Sequence, residues 1–155
     1  MDEQPWMNGE VQAATEMHYE ARFEIENRGC MRLEFLPDGS DDCPLVRIYD
    51  FSIDEVAELI KGFHALASGD QDILEVSDLP GIDVVDGCRL VLRSGPRDRG
   101  MVQLHGCDEF ECVLTTDGWK GVAEMADQLV EAKWGYQWLC SSEDASLLLS
   151  NDGHW

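Results

Sequence analysis

Residues 46–63 read VRIYDFSIDEVAELIKGF, a strand running directly into an amphipathic helix. Ser52 stands where an N-cap is needed and Glu55 follows three residues later. Each can satisfy a backbone N–H of the first turn, as in a capping box. Ile53, Val56, Ile60 and Phe63 recur at steps of three and four and predict the buried stripe. Asp54, Glu55, Glu58 and Lys61 fall on the other side. Ser68-Gly69 ends the helix with glycine available at the C-cap.

Upstream, Tyr19, Ala21, Phe23 and Ile25 alternate with Glu20, Arg22, Glu24 and Glu26, the period-two pattern of a strand with one wet face. Asn27-Arg28-Gly29 supplies turn chemistry, and Met31, Leu33 and Phe35 predict a returning strand that completes a hairpin. Residues 1–16 carry Trp6 and Met7 as their obvious anchors and read as a polar arm ahead of a single domain, 17–155.

Downstream, PDGSDDCP at 37–44 is a turn cluster, and Ile73 to Val76 predicts a short strand before a loop from Ser77 to Gly81. Three alternating pieces follow, built on Cys88, Leu90 and Leu92, then Val102 and Leu104, then Phe110, Cys112 and Leu114. They predict an antiparallel meander. Thr115 or Thr116 caps a second helix whose buried stripe is Trp119, Val122, Met125, Ala126 and Leu129. Asp117, Lys120, Glu124, Asp127 and Glu131 face out, and Gly135 is placed to close it. Tyr136 to Cys140 and Ser146 to Leu149 predict two last strands around the turn SSEDA.

Strands therefore lead into a capped helix twice, over about 18–68 and 73–134. The expectation is an α+β domain: a mainly antiparallel sheet of about seven to eight strands with both helices packed on one face.

The chain has 155 residues, 44% of them hydrophobic, enough to bury a core without metals or disulfides. Its 11 basic and 32 acidic residues give a net charge of −21. Such a field repels nucleic-acid phosphates and anionic membrane surfaces and favours a basic protein partner. No secretory leader is legible at the N-terminus, and no apolar run approaches the ~18 residues of a membrane span. Cysteines at 30, 43, 88, 107, 112 and 140 form no CxxC pair and read as reduced thiols packed as small hydrophobes, which predicts a cytoplasmic protein.

His105, Cys107 and Cys112 come nearest to a metal or small-molecule site. A closed zinc site needs four ligands with paired spacings, and no fourth lies nearby, so packing is the preferred reading. Asp38 to Asp42 lack the alternating ligands and distal glutamate of a calcium loop. His18, His64 and His154 sit on a strand's wet face, at a helix end and at the terminus, with no nucleophile beside them, and no GxSxG, HExxH or P-loop pattern occurs. The run Trp134-Gly135-Tyr136-Gln137-Trp138 reads first as core. Trp155, at the last position, is the better candidate for a contact outside the domain.

The surface singled out for a partner is acidic: Asp54, Glu55 and Glu58 on one helix, Glu124, Asp127 and Glu131 on the other, with Trp155 in addition. No catalytic residue, metal or cofactor is expected. Acidic α+β proteins of this size resemble bacterial immunity proteins as a class. That resemblance implies a non-enzymatic protein masking a basic surface of a protein partner, by steric occlusion and charge complementarity. The alternatives are a small-molecule or metal-binding domain, or an enzyme, with a site near His105, Cys107 and Cys112. A homo-oligomer whose acidity serves solvation alone is a third.

Overall fold

The computed structural model describes residues 31–105, 108–133 and 135–155. The polar arm, the hairpin strand from Tyr19 to Ile25, Cys30, Cys107 and Trp134 lie outside the described residues.

The stretch at 46–63 forms as its local chemistry dictates. Strand β2 (Leu45–Tyr49) leads into helix α1 (Ile53–Ser68). Ser52 Oγ accepts the Glu55 N–H at 3.3 Å while Glu55 Oε1 accepts the Ser52 N–H at 3.2 Å. Gly69 ends the helix at φ 83°, the left-handed conformation that costs glycine least. Helix α2 (Thr116–Ala132) is capped by Thr115, which accepts from Gly118 N. Its C-cap is Lys133 at φ 71°, two residues before the expected Gly135.

The remaining strands are β1 (Met31–Leu36), β3 (Ile73–Glu75), β4 (Ile82–Val84), β5 (Arg89–Ser94), β6 (Gly100–Leu104), β7 (Glu109–Leu114), β8 (Tyr136–Ser141) and β9 (Ser146–Ser150). They form two mixed sheets instead of one antiparallel sheet, ordered β4-β1-β2-β9-β8 and β3-β5-β7-β6. β1–β4, β2–β9 and β5–β7 pair parallel. The expected meander is thereby corrected, because β7 inserts between β5 and β6. Alternation shows that a segment is a strand with one apolar face; it does not say which distant segment takes its edge.

One continuous core draws on both sheets and both helices. From β1, β2 and β9 it takes Met31, Leu33, Val46, Ile48, Leu147 and Leu149; from the second sheet it takes Leu90, Leu92, Phe110, Cys112 and Leu114. Phe35 and Phe110, centroids 4.6 Å apart, join the two sheets directly. The helices run antiparallel. The start of α1 shares a cleft with the end of α2, and Phe63 near the end of α1 stacks on Trp119 in the first turn of α2, at 6.2 Å and 12°. Val56, Ile60 and Phe63 are buried as expected, with Leu59 and Leu66 beside them; Ile53 is instead 56% exposed.

Candidate functional surfaces

The helix carboxylates divide by what they touch. Glu55 is not free for a partner: besides capping Ser52, its Oε2 accepts the backbone N–H of Met31 at 2.8 Å. It ties β1 to the start of α1. Glu58 pairs with Lys61 one turn on at 3.1 Å, an exposed contact of small energetic weight. Asp127 meets His64 Nε2 at 3.0 Å across the helix pair, so the two acidic faces do lie side by side at that point. Asp54, Glu124 and Glu131 are exposed and pair with no Lys or Arg among the described residues.

Trp155 does not join that surface. Along β2, Val46 and Ile48 face the core and the helices, so Arg47 and Tyr49 face the other way. The C-terminal residues fold back over this outer face. Arg47 Nη1 donates to Gly153 O at 2.7 Å, its Nε donates to Glu34 Oε1 at 2.9 Å, and its guanidinium lies 3.9 Å above the Tyr49 ring. Ser150, fully buried, accepts the Gly153 N–H at 3.0 Å and donates to His154 O at 2.7 Å. Gly153 has φ 86°, and a Cβ there would come within 2.9 Å of Tyr49, so the turn requires glycine. Trp155 donates Nε1–H to Asp42 at 2.9 Å and remains 36% exposed.

The same outer face carries the aromatics that the sequence assigns to the core. Register places Trp138 opposite Leu148, and Leu148 opposite Arg47, in one row across β8, β9 and β2. Tyr136 lies two residues along the same face, edge-on to Trp138 at 6.5 Å and 49% exposed. Among the described residues β8 is the outermost strand of its sheet, so no described strand lies beyond them. Trp138 shares a shallow cleft of about 460 Å³ with Asp41, Asp42 and Glu143. No Lys or Arg among the described residues pairs with these three carboxylates. Sequence alternation in YQWLC could have signalled an outward Tyr136 and Trp138; the aromatic character of the run outweighed it.

The ring of candidates around His105 does not close. Leu104 pairs with Glu109 and Met101 with Cys112, so His105 sits in the turn while Cys112 lies deep in β7. Four residues of strand, about 13 Å, separate that turn from Cys112. Cys107 lies outside the described residues, and no group of three or more metal-ligating side chains forms among those described. Cys88 is buried, and burial pushes its thiol up to about 12, with the Asp108 and Glu34 carboxylates adding to the effect.

A largely apolar cleft, about 470 Å³, opens between the start of α1 and the end of α2. Phe51, Ile53, Val56, Leu129 and Val130 line it, with Asp54 and Lys133 as its charged side chains. No imidazole or thiol lines it among the described residues. No helix among the described residues is long and apolar enough to cross a membrane. No protein-family model, curated protein or solved structure matches the chain.

Proposed function

We propose that this chain is a non-enzymatic, acidic binding protein that covers a basic surface of a protein partner. The observation that carries the reading is the cleft where Trp138 lies beside Asp41, Asp42 and Glu143, on the outermost described strand of the larger sheet. Trp138 is half-buried and Tyr136 beside it exposed; surface aromatics supply contact area with few rotors to freeze, and they recur where interface energy concentrates. Carboxylates lacking cations of their own favour a partner that brings them. Among the described residues several cations are already committed: Arg32 to Asp50 and Asp83, Arg47 to Glu34, Lys61 to Glu58, Arg89 to Glu75, Arg93 to Glu111. The balance of −21 is therefore expressed at the surface.

In this reading the acids steer the encounter and the aromatics set the lifetime of the complex. The outer face of the larger sheet is the preferred surface. The exposed helix acids Asp54, Glu124 and Glu131 add to the long-range field from the other side. A metal or small-molecule site at His105 and Cys112 is disfavoured by their separation along the β6–β7 ladder.

The test is binding of the purified chain to basic proteins recovered from its native host, across a salt series. Raising ionic strength from about 10 mM to 150 mM shortens the Debye length from ~30 Å to ~8 Å and should slow association markedly. Trp138→Ala should speed dissociation, costing about 2 kcal/mol or roughly thirtyfold in affinity. Asp41→Asn with Glu143→Gln should slow association and flatten the salt dependence. Binding that ignores both salt and Trp138→Ala would overturn the reading.

A further inference from the structure

The apolar cleft between the start of α1 and the end of α2 has a wall left open to solvent. Ile53, in the first turn of α1, is 56% exposed, and Phe51 and Val130, which line the same cleft, are half-buried. Apolar surface of this kind gains from any apolar cover that removes it from water. Asp54 and Lys133 are exposed at its rim. Neither meets an opposite charge among the described residues.

The chain enters the described structure beside this cleft. Met31 N–H donates to Glu55 Oε2 at 2.8 Å, and Asp54 and Val56, on either side of Glu55, both line the cleft. Thirty residues precede Met31. The edges of β1 are taken at that point: Arg32 and Leu33 pair with Tyr49 and Ile48 of β2 on one side and with Asp83 and Val84 of β4 on the other. A hairpin built on the start of β1 therefore has no free edge there, and the apolar side of the alternating run at 19–26 needs another surface to cover it.

The run and the cleft are complementary in both respects that matter. Residues 19–26 read YEARFEIE, with Tyr19, Ala21, Phe23 and Ile25 on one side of an extended chain and Glu20, Arg22, Glu24 and Glu26 on the other. Ile25 stands six residues before Met31, a span of at most about 20 Å when extended, so the run begins within reach of the cleft. Its apolar side matches Ile53, Phe51 and Val130. Its glutamates match Lys133, and Arg22 matches Asp54.

We propose that the cleft between the two helices is the docking site of this chain's own segment 19–26. Phe23 and Ile25 cover Ile53 and Phe51, while Glu24 or Glu26 meets Lys133 at the rim. The segment thereby ties the end of α2 to the start of β1, which the Glu55 contact already joins to α1.

The first experiment treats the full chain at low concentration with a water-soluble carbodiimide, which joins an amine to a carboxylate in direct contact. The expected product keeps the monomer mass. After trypsin it yields the peptide Phe23–Arg28 joined to the peptide carrying Lys133, lighter by one water than their sum. Coupling of Lys133 to Asp2, Glu3, Glu10 or Glu16 in their place overturns the proposal, as does coupling found only at dimer mass, which would make a second copy the occupant. No coupling of Lys133 to Glu24 or Glu26 overturns it too. The second experiment uses Ile53→Glu, a change that an uncovered helix start tolerates because a carboxylate there suits the helix dipole. If the segment docks, trypsin should cut after Arg22 about tenfold faster in Ile53→Glu than in the parent, while cutting after Arg97 keeps its rate. Ile53→Leu should restore the slow rate. Cleavage after Arg22 that is unchanged in Ile53→Glu, or that rises only in step with cleavage after Arg97, overturns the docking.

Discussion

Replacing Trp119 by Phe tests the packing that joins the two helices to the smaller sheet. The indole is fully buried, stacks on Phe63 and donates Nε1–H to the Arg93 carbonyl of β5 at 3.0 Å. Phenylalanine keeps a ring against Phe63 but loses the donor and the outer part of the indole. A buried hydrogen bond contributes about 1 kcal/mol. Two missing ring carbons at ~0.8 kcal/mol each add about 1.6. The expected loss is therefore roughly 2.5 kcal/mol, out of a total of about 5–15 for a domain. With a urea slope near 2 kcal/mol/M, the midpoint should fall by about 1 M, and the melting temperature by roughly 5–10 °C. Helical circular dichroism at room temperature should be unchanged, because the caps at Ser52 and Thr115 are untouched. A midpoint shift below about 0.2 M would refute the buried stack and its hydrogen bond.

Two further outcomes can be measured on the same urea scale. Glu55→Ala removes acceptors from both Ser52 N and Met31 N and should cost about 1–3 kcal/mol, whereas Asp54→Ala and Glu124→Ala should stay within about 0.5; equal losses at the three positions would show Glu55 to be an ordinary surface acid. For Cys88 the folded state raises the thiol from 9.0 to about 12, so the neutral form is the one the fold favours. Its contribution is fully present below pH 9 and is lost as pH rises toward 12, by up to about 1.4 kcal/mol per pH unit. Urea midpoints between pH 8 and 11 should fall less steeply in Cys88→Ala, with Tyr49→Phe as a companion because burial also raises the Tyr49 hydroxyl; identical slopes in Cys88→Ala and the parent would sink the assignment.

The candidate surface was legible only in fragments. The excess of carboxylates and the terminal tryptophan stand out in the sequence, but their grouping does not. Glu55 looks like Asp54 and Glu58 on a helical wheel, yet its carboxylate is spent on Ser52 and Met31. Trp155 and the helix acids read as one surface, yet the alternation of β2 puts them on opposite sides of a sheet. The single residue of slippage at Leu139, which turns Cys140 from solvent toward the core, leaves no mark in the spacing of YQWLC.

What the chain's order of residues determined by itself is its local grammar. Both helices, their Ser52 and Thr115 caps, the glycine stop at Gly69 and the final hairpin of β8 and β9 follow from contacts made within a few residues, where chain connectivity already holds the partners close. The tertiary structure alone decided that β7 separates β5 from β6 and that β9 pairs with β2. Those choices are competitions among distant segments for the same edge or pocket. They are settled by the total apolar surface that each arrangement buries, a quantity no short stretch contains.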